Sequence, residues 1–395
     1  MRIIKLLLIS SLASIIPGQL VRIPLGFFGA ITISDIFVAA TSLIFTIHVF
    51  FNKKSPILPP NTLFAFLFTL SASASTIMAL NFYSTKEVAV SSLFLLRFVL
   101  YFAFSTVVAN IVEKKQITSY LNIFLVIGLI FTLLGFIQFI FLSDLSFLTI
   151  YGWDPHIKRI AATLLDPNFT GGLLTFFFCV AASLYIFSKN KVYALLTSIF
   201  FSALILTFSR SSYLAFFAAI LMMGLLKSPK ILIISSLTFF ATFLLVGQVR
   251  QRVIGAITFD QTSAARVKSW QNASQIFMKN PLFGVGFNTY RFAQARYGHF
   301  SFDEPQGGHS GAGSDSSLLT VLATTGIVGF FFYLLLIVST AKIFSKNLRK
   351  NSLNLAASAS FFGILVHSIF VNSLFFPQIM LTLWFLAGLS QVKNR

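Results

Sequence analysis

Charge is what this sequence has least of. Asp, Glu, Lys and Arg make up 10% of its 395 residues, against roughly 25% in soluble domains, so an ordinary soluble protein is excluded. Acids are the scarcer sign, 10 against 29 Lys and Arg. The single cysteine, Cys179, lies inside an apolar run, which excludes a disulfide within the chain and a cysteine metal cluster. No Gly-x-x-x-x-Gly-Lys-Ser/Thr occurs, which argues against ATP-driven transport by this chain. Asp303 and Glu304 are adjacent, and no acidic pair stands at metal-ligand spacing. No cofactor and no metal are therefore expected. Also missing are the alternating ten-residue segments of a membrane barrel.

What fills the chain is continuous apolar runs near 20 residues, each able to cross the hydrocarbon as a helix. Twelve candidate spans cover 3–21, 33–51, 61–81, 88–112, 117–142, 168–187, 191–208, 211–226, 230–248, 317–341, 353–374 and 376–391. The expected fold class is an all-α polytopic membrane protein, with 1–395 as a single membrane domain. The first run, behind Arg2 and Lys5, is similar to a signal peptide. No convincing small-x-small cleavage site precedes Pro17, so it is read as an uncleaved first span.

The basic residues test that count. With the N-terminus in the cytoplasm, the tails and inner loops hold 16 of the Lys and Arg and one acid, Glu113. Every inner loop carries at least two, which is the bias that sets orientation. Twelve spans with both ends inside are expected. The excess of positive charge then needs no nucleic-acid partner. Two polar stretches face outward, a smaller loop at 143–167 and a large one at 249–316 between spans nine and ten.

Residues 264–278 of the large loop have the spacing of an amphipathic helix. Arg266 and Trp270 stand at i and i+4 on one face. A tryptophan there also suits an interfacial anchor. Asn280-Pro281 ends the helix, and Gly284 and Gly286 permit a tight turn. Arg291 and Arg296 follow, then a Gly- and Ser-rich stretch with His309 and Asp315. Arg159 precedes span six, Arg210 lies at the outer hairpin between spans seven and eight, and Arg97 lies well inside span four. An arginine at that depth costs at least about 2.5–3.5 kcal/mol. It is expected to be paired or functional, and Asp35 is the candidate partner. A solvated hairpin charge is the competing reading of Arg210.

Arginines gathered at one face suit a phosphate or pyrophosphate, which guanidinium holds bidentately. Fixed cations would stabilise a departing pyrophosphate in place of a metal. A sugar hydroxyl as acceptor needs a base, for which Asp315 and His309 are the candidates. A transporter would place charges along several spans and show repeat symmetry. Here only Arg97 lies well inside a span and no repeat is evident.

Several segments resemble the O-antigen ligase and polymerase family of bacterial envelope glycosyltransferases. They are LTFSRSSYLAF (207–217), the Arg-x-x-x-Trp of Arg266–Trp270 followed by NPLFGVGFNTYRF (280–292), SDSSLLTVLATTGIVGF (314–330), and RIAATLLDPNFTGGLL (159–174) with Asn168. The resemblance implies a GT-C-like fold in the bacterial inner membrane, with both termini cytoplasmic. It implies a glycan on undecaprenyl pyrophosphate as substrate, used at the periplasmic face. The expected contacts are that glycan, membrane lipids, a chain-length regulator and a flippase. Arg210 and Arg266 match the family's pyrophosphate arginines, and Arg97, Arg159, Asn168, Trp270 and Arg291 are assigned to substrate binding. Ligases usually begin the last motif with His-Asn, where this chain has Asp315-Ser316. That departure tilts the expectation toward a repeat-unit polymerase, with His309 as a substitute base. A ligase acting on lipid A–core or protein is the alternative.

Overall fold

The computed structural model describes residues 1–25, 29–53, 55–299 and 312–393. Among the described residues, a helix overlaps each of the twelve expected spans. They are α1 (Arg2–Ala13), α2 (Ile33–Phe51), α3 (Thr62–Met78), α4 (Thr85–Ile111), α5 (Ile117–Phe141), α6 (Pro167–Ser188), α7 (Lys191–Leu206), α8 (Arg210–Leu226) and α9 (Pro229–Leu245), then α13 (Ser317–Phe344), α14 (Ser352–Phe370) and α15 (Pro377–Leu389). Among the described residues, seven apolar segments, built on α2–α6, α13 and α14, are long and apolar enough to cross a membrane. The chain is a multi-pass membrane protein of helical class.

Two expected boundaries need correction. The first span was expected to run to residue 21, but α1 ends at Ala13 and turns follow to residue 20. Pro17 cannot continue a helix, and Gly18 has φ +54°. The ninth span was expected to end at 248. Instead α9 stops at Leu245 and α10 (Gly247–Ile257) leaves it at 98°. Ile254 and Ile257 of α10 and Phe259 beyond it are exposed, as suits a helix resting on a bilayer surface.

α6 is the centre of the bundle. It packs against α5, α7, α8, α14 and α15, and nearly its whole length is buried. Its small residues allow this, as in other membrane helix contacts. A Cβ on Gly171 would stand 2.1 Å from Ser212 Oγ, so α6 and α8 touch at their N-terminal ends. The large outward stretch is itself helical. The expected helix at 264–278 is α11 (Gln261–Lys279), and α12 (Tyr290–Arg296) follows.

Between α11 and α12 the chain reaches back into the bundle. α13 is broken at Gly326, with φ +63° and ψ −169°, a conformation essentially reserved to glycine. The break frees backbone groups some nine residues inside the helix, roughly 14 Å along it. The turn at 281–286 satisfies them. Gly286 N donates to Thr324 O at 2.9 Å, Val285 N to Ala323 O at 3.2 Å, and Ile327 N to Pro281 O at 2.9 Å. Irregular backbone at such depth survives only when protein pairs it. A small antiparallel pair, β1 (Arg22–Pro24) with β2 (Ala30–Thr32), covers the same end of the bundle.

Candidate active site

The end of the bundle that carries α10–α12 holds a cavity of about 320 Å³, within the range of small-ligand sites. The chain passes it repeatedly, so residues far apart in sequence meet there. Its walls include Arg22, Arg97, Asp154, Asp166, Asn168, Arg266, Arg291 and Asp315. Thr32, Asp166 and Phe376 are the N-caps of α2, α6 and α15, and all line the cavity. Asp315 directly precedes Ser316, the N-cap of α13. Helix N-termini carry partial positive charge and free N–H groups, so the backbone adds to the arginines in favouring an anion.

Arg266 projects from α11 into this cavity. Its guanidinium lies 5.9 Å from the Phe370 ring centroid, and its buried Nε has no hydrogen-bond partner among the described residues. Burial lowers its pKa. Asp315 is held by the same helix through its backbone. Its N–H donates to Ser269 Oγ at 3.0 Å, and Trp270 Nε1 donates to its carbonyl at 3.1 Å. Trp270 in turn packs against Phe370 at 5.8 Å. The i, i+4 pair therefore works as one unit, with Trp270 placing Asp315 while Arg266 faces the cavity. Asp315 opens into the cavity, so solvent reaches it while protein walls surround it. Poor hydration pushes its carboxyl up to about 6, against the Arg266 charge that lowers it.

Other expected residues have partners already. Arg97 pairs with Asp35 as anticipated, Nε to Oδ1 at 2.7 Å and Nη2 to Oδ2 at 2.8 Å. It also donates to Ala30 O at 2.7 Å, which ties β2 to α4. Its place on the cavity wall is thus that of a neutralised pair. Arg210 begins α8 and grips Asp260, the N-cap of α11, with both terminal nitrogens. It also donates to Ser263 Oγ at 2.9 Å. The hydrogen bonds from Arg210 hold Asp260 well below the usual carboxylate range. Arg210 does not line the cavity, and it is not the solvated hairpin charge of the competing reading. Arg159 donates from Nε to Thr207 O at 2.9 Å and from Nη2 to Phe208 O at 3.3 Å, capping the carbonyl end of α7. Burial lowers its pKa to about 10.

Asn168 lines the cavity and its Oδ1 accepts from Ser209 Oγ at 2.7 Å. That bond joins the Pro-Asn segment to the Ser-Arg-Ser-Ser segment. Arg291 is 6% exposed and lines the cavity from α12, with its pKa lowered to about 10 by burial. His309 lies outside the described residues, as do Asp303 and Glu304.

Some lining residues carried no sequence signal. Arg22 sits on β1, with its guanidinium 4.8 Å from the Trp153 ring centroid. Asp154, His156 and Asp166 each bring a ligating atom within 4.8 Å of the others. Burial raises the pKa of Asp154 and of Asp166 and lowers that of His156 to about 4.

Fold and cavity define a multi-pass membrane protein with an arginine-lined pocket at one end, in which the carboxyls of Asp154, Asp166 and Asp315 are all raised. Residues 194–334 match the family described as O-antigen ligase. The match runs from α7 into α13 and includes Arg210, Arg266 and Asp315. It supports the resemblance to the O-antigen ligase and polymerase family. No curated protein matches the chain.

Proposed function

We propose that this protein is a glycosyltransferase that polymerises undecaprenyl-pyrophosphate-linked oligosaccharide repeat units at the periplasmic face of the bacterial inner membrane. The observation that carries the proposal is Arg266 beside Asp315 in one cavity, inside the matched family domain. The donor's pyrophosphate sits against Arg266 and the helix N-termini, with Arg291 alongside. Asp315, ionised above about pH 6, takes the proton from the acceptor hydroxyl. The freed oxygen attacks the anomeric carbon, the bond to the pyrophosphate oxygen breaks, and the lipid pyrophosphate leaves with the electron pair. A single displacement of this kind inverts the anomeric centre. Arg210 serves by holding the N-terminus of α11, the helix that carries Arg266 and Trp270.

The nearest alternative is a ligase that moves finished glycan onto lipid A–core or protein. The family description favours it, whereas Asp315-Ser316 at the last motif favours the polymerase. A deletion strain separates them, because a polymerase mutant leaves single repeat units on the acceptor and a ligase mutant leaves the acceptor bare. The chemistry itself is tested by Arg266→Ala. Removal of one transition-state donor costs on the order of 10²–10³ in rate. Long polymer should disappear while the protein keeps its level in the membrane. Normal chain lengths in that variant would refute the assignment.

A further inference from the structure

We infer that Arg252, with Arg159 beside it, forms a second anion site between α10 and the start of α8, and that this site takes the pyrophosphate of a second polyprenyl lipid. Neither arginine lines the cavity. Gln248, Arg252 and Gly255 share one face of α10, at i, i+4 and i+7, and contacts at both ends show where that face points. Gln248 Nε2 donates to Lys158 O at 3.3 Å. A Cβ on Gly255 would stand 2.8 Å from Arg210 Nη2. Arg252 therefore lies between the connector that carries Arg159 and the first residue of α8. Arg159 is anchored there through Nε and Nη2, by its bonds to Thr207 O and Phe208 O, which leaves Nη1 for a ligand.

Charge is out of balance there. Asp260 matches Arg210, while Arg252 makes no ion pair among the described residues. Asp166 acts on Arg159 through its charge, but its Oδ1 is engaged in capping α6. Burial and then the Arg210 charge lower the pKa of Arg252, and after burial the Arg252 charge does the same to Arg159. Half-buried like charges held together cost free energy until an anion joins them. The other face of α10 names the carrier of that anion. Ile254 and Ile257 are exposed there, as are Leu244 and Leu245 at the end of α9, so α10 lies where headgroups meet hydrocarbon. Its inner face is then at the depth of lipid phosphates, which guanidinium holds bidentately. A phosphodiester headgroup brings a single charge, whereas a pyrophosphate brings more and spans both arginines. On the polymerase reading, which this clause rests on, two lipid-linked pyrophosphates are held at once, that of the growing chain and that of the incoming unit. The cavity with Arg266 takes one and Arg252 takes the other.

The experiment is equilibrium binding of radiolabelled decaprenyl pyrophosphate to the full chain in phosphatidylcholine nanodiscs. Two molecules per chain are expected for the wild type. Arg252→Gln should weaken one of them by at least about tenfold and keep the other, which also shows that the variant is folded. Arg266→Ala should keep the molecule at Arg252, and Arg250→Gln, on the opposite face of α10, should keep both. A single site in the wild type, or two sites of unchanged affinity in Arg252→Gln, would overturn the inference. Equal displacement of the second molecule by inorganic pyrophosphate would overturn the lipid, and equal displacement by phosphatidylglycerol would overturn the pyrophosphate. Glycan elongation is not the readout. A chain that binds two molecules but does not elongate glycan refutes the proposed function alone, and an active polymerase that binds one refutes the Arg252 site alone.

Discussion

Asp315 is the residue whose chemistry differs most from its ordinary behaviour. With its carboxyl raised to about 6, a base at this position is silent in acid and active at neutral pH. The elongation rate should climb about tenfold per pH unit below 6 and level off above it. In Asp315→Asn that slope should vanish and the plateau should fall by about 10²–10⁴-fold. Stability should move the other way. A carboxyl raised in the folded state stabilises the fold below its unfolded value of about 4 and loses that contribution as pH rises through 6. Asp315→Asn should therefore melt higher than the wild type at pH 7.5 and not at pH 4, in thermal unfolding in detergent. Arg210 makes a different prediction. If it acts by gripping Asp260, Arg210→Ala and Asp260→Ala should damage elongation alike, and the double variant should be no worse than either. A coupling energy of about 1–3 kcal/mol in the mutant cycle checks this; additive losses would place Arg210 on the substrate instead. Sequence alone could require a partner for Arg97 and name Asp35, because bilayer depth forbids a lone charge. It could not see that Arg210 had a partner 50 residues on, since a hairpin arginine is under no such compulsion.

At the scale of elements, the helices were the legible part. Apolar runs, caps and the α11 periodicity all report on neighbours within a turn or two of one another. The turn at 281–286 was visible as a glycine signal, but the Gly326 break inside the span expected at 317–341 was not, nor was their joining, because it is made by backbone hydrogen bonds between segments some 40 residues apart. The joining explains why both segments carry glycine. A Cβ on Gly326 would stand 2.3 Å from Leu282 O, and one on Gly284 would stand 2.4 Å from the Thr324 carbonyl carbon. Gly326→Ala should therefore cost more than the roughly 1–3 kcal/mol of the strained dihedral alone, because the turn must also back away and leave carbonyls unpaired. The expected outcome is a lower melting midpoint, with faster proteolysis between α11 and α12 than in the wild type. Unchanged cleavage there would show that the turn does not depend on the break. The β1–β2 hairpin and the Asp154, His156 and Asp166 group lay beyond sequence for the same reason: short irregular connectors have no period to read.

For the whole molecule, everything depends on which end of the bundle faces out. The cavity draws its walls from one end, from connectors that alternate with those bearing the lysines. With the N-terminus inside, an odd number of crossings before α10 would place it outside, where no cytosolic nucleotide sugar arrives. α1 is only 12 residues long, and α7, α8 and α15 are shorter than a full span. If any one of them fails to cross, the orientation of every later loop inverts. The chain is well suited to settling this, because Cys179 is its only cysteine and is buried. In intact cells, a membrane-impermeant maleimide should label Lys279→Cys, after α11. It should spare Lys346→Cys, between α13 and α14, until the membrane is opened. Labelling of Lys346→Cys from outside would move the cavity to the cytoplasm and remove the lipid-linked periplasmic donor from consideration. The same pattern should hold at Ile257→Cys and Lys189→Cys, with Ile257 open and Lys189 protected, so that α7, α8 and α9 are counted independently of the basic residues that first suggested them.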